Sequence, residues 1–358
     1  MKKLNLAIIG QGRSGKDIHG KYYLSKDNIY YDVKYVVEAD PTRRKIANEQ
    51  YPNAVVLSDY TELFNYNDID IVVNASYSHH HYPITKDLLS HGFSVMVEKP
   101  FGRNRFECVD LIKTAKDNGV KLAVFQQTFL APFFKQAYDI TKSKKIGEIK
   151  QINIRYNGFA RRWDWQTLLK CLAGSTYNTG PHPIGMALGF LDFDKDVKVL
   201  YSKLDTCITS GDADDYCKIL MTAPNKPLID VEISSIDAFS GYTLKIMGTL
   251  GTYTSDTSSW YKTKYIVEGE NPPRPVQEEF LRDENFNPLY CGEKLNFHEE
   301  NGTFDGSAFD IGTAKFYQDL YNYLTGAKEQ LFITPEMACD VIGIIEQVHA
   351  QNPLERKF

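Results

Sequence analysis

The chain of 358 residues has no uninterrupted apolar run of about 18 residues, so it offers no segment of the kind that crosses a bilayer as a helix. It also lacks a basic excess. Lys and Arg number 41 against 46 Asp and Glu, the lysines are dispersed, and a net charge of −5 leaves no electrostatic footprint for nucleic acid. The six cysteines, Cys108, Cys171, Cys207, Cys217, Cys291 and Cys339, contain no C-x-x-C pair, which argues against a zinc knuckle and a disulfide framework. Internal repeats and low-complexity tracts are absent. The start, Met1-Lys2-Lys3-Leu4-Asn5, carries two lysines as a signal peptide does. The apolar segment after it is short and runs directly into a glycine turn, so a mature cytoplasmic protein is expected.

What the sequence does contain is a rhythm. From Leu4 to Phe125, apolar, β-branched runs (Leu4–Ile9, Val33–Val37, Ala54–Leu57, Ile69–Asn74, Phe93–Val97, Leu122–Phe125) alternate with amphipathic stretches. That alternation predicts a parallel sheet wound by crossover helices, and the near-continuous apolar runs fit strands covered on both faces. After a predicted helix from Pro132 to Ser143, the pattern changes to longer alternating segments at Gln151–Asn157, Val197–Thr206, Tyr216–Ala223, Ile229–Ser234 and Thr243–Met247. These predict one large, mostly antiparallel sheet with helices on one face. The stretch from Ser255 to Gly306, rich in Asn, Pro, Asp and Glu, reads as loop, and Asp310–Leu324 and Pro335–Ala350 read as closing helices. The expected fold class is α/β plus α+β. A Rossmann doubly wound domain over residues 1–127 precedes an α+β domain over 128–358 for substrate binding and oligomerisation, and the final helices are free to pack back on the first domain.

Two motifs carry chemistry. The turn Gly10-Gln11-Gly12-Arg13-Ser14-Gly15 follows the first strand and opens a helical segment, which is where a dinucleotide's pyrophosphate sits on free amides at a helix N-terminus. The glycines allow the tight turn, the approach of the pyrophosphate and close helix packing, in that order. An acidic residue at the end of the second strand should hold the adenosine ribose. Asp40, followed by Pro41, suits a helix cap, so Glu38 is preferred. A carboxylate there favours NAD, with NADP possible if Arg43 and Arg44 turn inward. The second motif is Glu98-Lys99-Pro100, just after the fifth strand.

With Asn74-Ala75-Ser76-Tyr77-Ser78 leading to His81, and with Gly180-Pro181-His182, these pieces resemble the glucose-fructose oxidoreductase, inositol dehydrogenase and rhizopine catabolism (Gfo/Idh/MocA) family of NAD(P)-dependent oxidoreductases. The resemblance covers essentially the whole chain. It implies that Lys99 reaches the substrate hydroxyl beside the nicotinamide, that Ser76, Ser78, His81 and Glu98 border the cofactor, and that His182 stands at the substrate. The family's Asp four residues before that histidine is here Asn178, which can orient a sugar or His182 but cannot titrate. Proton transfer then falls to Lys99 and His182, and the residues leave open which of them takes the proton.

Independently of resemblance, oxidising a secondary alcohol needs a base for the hydroxyl proton. Histidine meets that need near neutral pH, whereas lysine does so only with a lowered pKa and otherwise clamps the developing alkoxide. Arg161, Trp163 and Trp165, in Arg161-Arg162-Trp163-Asp164-Trp165, could stack on a sugar and bind its hydroxyls or an acidic group, or could instead form a sheet edge with buried tryptophans. In Gln126-Gln127-Thr128-Phe129 the family's Arg-rich segment is missing, so contacts made there by other members do not carry over. Adjacent His79, His80 and His81 suggest no metal site.

The expected function is oxidation of a ring hydroxyl, or reduction of the ketone, of a small-molecule sugar, cyclitol or polyol. The alternatives are a redox-neutral NAD-dependent glycosidase and a non-catalytic nucleotide-sensing regulator. A homodimer or homotetramer through the C-terminal sheet is expected, because a helix-free sheet face should expose apolar surface.

Overall fold

The computed structural model describes residues 2–290 and 292–358; Met1 and Cys291 lie outside the described residues. In the first half, strands β1 (Leu4–Ile9), β2 (Tyr31–Val37), β3 (Val55–Leu57), β4 (Ile71–Asn74), β5 (Val95–Val97) and β6 (Leu122–Val124) form one sheet in the order β3-β2-β1-β4-β5-β6. Every pairing in it is parallel. The crossovers include helices α1 (Lys21–Tyr23), α2 (Pro41–Gln50), α3 (His81–Ser90) and α4 (Arg105–Asp117). Residues 6–8, 71–73 and 95–97 are buried on both sheet faces, which accounts for runs that never alternate. Asp40 caps α2 by accepting from the Arg43 amide, with Pro41 in the first turn.

Helix α5 (Pro132–Ser143) leads into a second sheet of eight strands. Between β7 (Ile149–Asn157) and β8 (Lys198–Asp205) the chain forms the short helix α6 (Ser175–Asn178) and α7 (Pro181–Phe190). The sheet continues with β9 (Tyr216–Thr222), β10 (Leu228–Ser234), β11 (Leu244–Gly248), β12 (Gly251–Ser255), β13 (Trp260–Ile266) and β14 (Phe297–Thr303). Its order is β14-β13-β12-β11-β7-β10-β9-β8, with β7 and β10 as the parallel pair. The expectation of loop from Ser255 to Gly306 is therefore corrected: β13 and β14 lie inside it. Sequence pattern hid β14 because, as the edge strand Phe-His-Glu-Glu-Asn-Gly-Thr, it is solvated on both faces and buries no alternate row. Its glutamates are held by Lys264, Lys145 and Tyr265 instead.

A second correction concerns the helix-free face of this sheet. Inward positions such as Ile152, Ile154, Ile219, Val231 and Ile246 are buried against helices, but the outward positions are not an apolar surface. Arg155 pairs with Asp230 at 2.7 Å, and Lys218 bridges Asp230 at 2.7 Å and Glu232 at 3.0 Å. Opposite charges on facing strands satisfy one another and keep this face polar.

The closing helices, α8 (Ala308–Leu324) and α9 (Pro335–Gln351), lie against the first sheet's unit. Tyr317 of α8 is fully buried among Tyr22, Tyr23 and Tyr31, and its hydroxyl contacts His19 Nδ1 at 2.8 Å.

Candidate active site

A cleft of about 910 Å³ runs from the glycine turn, past the C-terminal ends of β2, β4 and β5, to the start of α7. Gly10 adopts φ +92°, and a side chain there would meet the Ala75 carbonyl at 2.5 Å. A Cβ on Gly15 would fall 1.8 Å from the Gly10 carbonyl oxygen, so the helix after the turn, a π-helix over Arg13–Gly20, touches the turn itself. Over Gly12 the space is open, with no atom within 4 Å of where a Cβ would sit. Such a cradle, backbone below and emptiness above, fits a pyrophosphate laid on free amides.

Glu38 borders the cleft at the end of β2, its carboxylate accepting from the Gln11 amide at 2.7 Å and the Asp40 amide at 2.9 Å. Arg44 is turned to the carbonyls of Glu38 and Ala39, leaving Arg43 as the arginine on the cleft at this end. Gln11 serves through its amide; its side chain is buried outside the cleft and donates to the Gly10 carbonyl. Arg13, Ser14, Ser76 and Ser78 line the cleft. Ser76 is pinned through its hydroxyl to Asn74 Oδ1 at 2.7 Å. His81 also borders the cleft but is only 2 % exposed, its two ring nitrogens 2.9 Å from the Pro100 carbonyl and 3.1 Å from the Ser76 carbonyl. It braces the serine loop against the turn that follows Lys99.

At the far end, Lys99 donates from Nζ to the backbone carbonyl of Asn178 at 2.8 Å, reaching from the first sheet to α6. Burial pulls its pKa below the ordinary lysine value; Arg13 and Arg162 push the same way, against the pull of Glu98. Glu98 is buried beneath, its carboxylate 3.0 Å from His19 Nε2, and it accepts from the Lys99 amide at 3.0 Å. Burial alone would raise the Glu98 carboxyl, but His19, then Lys99 and His81, outweigh it and hold it at about 2. Glu98 is thus a fixed anion under the lysine. His182 faces the same end of the cleft, its pKa pushed down to about 3 by burial and then by Lys99.

The shelf carrying Asn178 has a buried support. Asp214 accepts from the Thr176 amide at 2.8 Å and the Thr176 hydroxyl at 3.0 Å, and that hydroxyl also meets His349 Nε2 of α9 at 2.8 Å. Burial lifts the Asp214 carboxyl to about 7 and depresses His349 to about 4. A carboxyl raised in the fold stabilises it fully below its unfolded pKa of about 3.9, and that contribution is lost as pH rises through the folded value. Depressed His349 has the opposite sign, its contribution present above about 6.5 and lost as pH falls through the folded value. Asp214→Asn removes the first slope and leaves the second. Its melting temperature relative to wild type should climb between pH 4.5 and pH 8, by a few degrees, roughly the scale of 1–2 kcal/mol in a chain this long; a difference that is flat in pH counts against the buried carboxyl.

Of the proposed substrate contacts, Trp165 lines the cleft, meeting Tyr77 edge-on at 4.9 Å. Arg161 and Trp163 do not line it, and Trp163 is 81 % exposed. Neighbouring Arg162 faces the cleft instead, paired with Asp164 at 2.6 Å and bonded to Gln166, whose amide donates to Asn178 Oδ1 at 3.2 Å. Sequence reasoning missed Arg162, Gln166, Tyr77 and Thr128. Alternation through the segment would have separated 161 and 163 from 162, but nothing in the sequence says which side faces inward. Among the described residues no group of three or more His, Cys, Asp or Glu is placed to hold a metal.

A doubly wound sheet with an open glycine cradle, roofed by a second domain that brings a histidine beside a buried lysine, defines a nicotinamide-dependent oxidoreductase architecture. Residues 4–126 match the oxidoreductase family with an NAD-binding Rossmann fold, and residues 134–254 match the GFO/IDH/MocA C-terminal domain. The chain belongs to the GFO/IDH/MocA family and has its NAD-binding domain. It is 26% identical over 266 residues to the uncharacterized oxidoreductase C115.03 of Schizosaccharomyces pombe (strain 972), covering 71% of each chain. It is 24% identical over 196 residues to the scyllo-inositol 2-dehydrogenase (NADP(+)) IolW of Bacillus subtilis (strain 168), covering 54% of this chain and 53% of the relative. The fold superposes on GenD2 from gentamicin A biosynthesis, solved in complex with NAD, with a TM-score of 0.76, 17% identity and coverage of 98% and 94%.

Among the described residues no helix is long and apolar enough to cross a membrane.

Proposed function

We propose that this protein oxidises a ring hydroxyl of a sugar, cyclitol or sugar derivative, or reduces the matching ketone, with NAD in the cleft. One observation carries the reading: Lys99, its Nζ 2.8 Å from the Asn178 carbonyl, and His182 line the same cleft as the glycine cradle. The cradle residues Gly10, Gly12 and Arg13, with Glu38 and the serines at 76 and 78, would hold the dinucleotide; bound there, it supplies the acceptor for the hydride. Lys99 and His182 bind the reacting oxygen and manage its proton. Trp165 and Tyr77 offer an aromatic wall, and Arg162 and Asn178 offer donors for ring hydroxyls. The inositol dehydrogenase name of a relative supports the substrate class. Absorbance at the NADH band, followed as NAD meets a panel of cyclitols, aldoses and their acids, tests the reading; silence across the panel with NAD bound shifts weight to the redox-neutral glycosidase or the sensor.

Self-association through the C-terminal sheet remains part of this proposal, with polar rather than apolar contacts expected at its centre. Light scattering at micromolar concentration should return a dimer or tetramer, and a monomer removes that part.

A further inference from the structure

His182 Nδ1 lies 2.7 Å from the hydroxyl of Thr128, in the short helical turn before α5. Thr128 is 7 % exposed and does not line the cleft, and among the described residues its hydroxyl has no other hydrogen-bond partner. A buried hydroxyl can accept twice, but it has one proton to place, and leaving that proton without an acceptor is costly. The acceptor at hand is Nδ1. A neutral imidazole that accepts at Nδ1 must carry its hydrogen on Nε2, at the other edge of the ring, where no protein group meets it among the described residues.

From this contact we infer that Thr128 is a positioning residue that fixes His182 as an Nε2–H hydrogen-bond donor to the substrate oxygen, and that Lys99 is the group that takes the hydroxyl proton. The inference rests on the dehydrogenase reading above and deepens it. Charge placement agrees. Of the titratable groups bearing on His182, Lys99 when charged opposes an imidazolium and Glu98 acts more weakly, while position 178 carries an amide, its Oδ1 accepting from Gln166 at 3.2 Å, rather than a carboxylate. A proton arriving at His182 would rest on a buried ring with no carboxylate hydrogen-bonded to it. A proton arriving at Lys99 forms an ammonium with the Asn178 carbonyl at 2.8 Å and Glu98 beneath it. In the step, the substrate O–H bond breaks toward the Nζ lone pair and the oxygen's electron pair becomes the second C–O bond. The carbinol hydrogen leaves with its electrons to the NAD already assigned to the cleft, and His182 Nε2–H holds the oxygen throughout.

The test needs no turnover at its core. Protein labelled with nitrogen-15 in histidine and saturated with NAD is observed by long-range proton–nitrogen NMR, with His182 assigned by its loss in His182→Gln. Bare Nδ1 with protonated Nε2 is expected from pH 6 to pH 9; Thr128→Val should scramble the tautomer and Thr128→Ser should restore it. A hydrogen on Nδ1 in wild type, or a tautomer indifferent to Thr128→Val, overturns the positioning role. With a substrate in hand, His182→Gln should lower kcat yet keep the fall of activity on the acid side that Lys99 sets, and loss of that pH dependence in His182→Gln overturns the assignment of the proton to Lys99. A panel without any substrate defeats the dehydrogenase reading while the NMR result still decides the tautomer.

Discussion

Lys99→Ala should bind NAD with nearly unchanged affinity and oxidise substrate about 10²–10⁴-fold more slowly than wild type. Nζ is held by the Asn178 carbonyl and is not part of the glycine cradle, so its removal should leave the pyrophosphate's contacts in place. What is lost is a buried amine whose pKa is drawn down by burial, Arg13 and Arg162. The sign of the pH dependence follows. Activity should fall as pH drops through the lysine's lowered pKa, because the protonated amine cannot take a second proton. Lys99→Arg separates the two roles a cation could play here. It keeps positive charge but does not deprotonate, so it should stay as slow as the alanine variant if the lysine takes the proton, and recover if the lysine only clamps an alkoxide. Calorimetry for NAD and NADH absorbance for rate measure both, and an alanine variant within about threefold of wild type would remove Lys99 from the chemistry.

Gly15→Ala and Gly12→Ala should fail in opposite ways. A Cβ at position 15 would be driven to 1.8 Å from the Gly10 carbonyl oxygen, inside any van der Waals contact, so the helix must move off the turn. Backbone cannot yield as a side-chain tip can, and a loss of about 3 kcal/mol or more of stability is expected, together with loss of NAD binding. At position 12 a Cβ meets nothing within 4 Å, so the fold should melt within about 1 °C of wild type. That same open volume is where a pyrophosphate would approach, and NAD affinity should drop by roughly tenfold or more, about 1.4 kcal/mol. Thermal melts paired with NAD titrations read both variants. Full NAD affinity in Gly12→Ala would place the dinucleotide elsewhere.

The fold was legible where burial imposes a pattern. Residues 4–9 and 71–74 must be apolar throughout because helices cover both faces of their sheet, and strands such as 216–222 alternate because only one face does. Helix α9 announced itself through Thr334, which accepts from the Met337 amide, followed by Pro335 in the first turn. Strand β14 was illegible for the same reason in reverse, since an edge strand solvated on both faces writes no hydrophobic period. The helix-free sheet face was misjudged as apolar because composition cannot show that Arg155, Lys218, Asp230 and Glu232, spread over 78 positions of chain, meet on neighbouring strands.

The sequence by itself determined the parallel first sheet and the mostly antiparallel second sheet, the glycine turn and the lysine after the fifth strand, because those features depend on local geometry: glycine where no Cβ fits, acid at a strand end, apolar runs under helices. Tertiary structure alone decided which side chains share the cleft and in what state. It turned Arg162 inward and Trp163 outward, held His81 between the Pro100 and Ser76 carbonyls, placed Glu98 as an anion under Lys99, and brought Thr128 to His182 across 54 residues of chain. Protonation, tautomer and burial are properties of neighbours in space, and a hydroxyl that fixes a histidine's hydrogen leaves no trace in the order of residues along the chain.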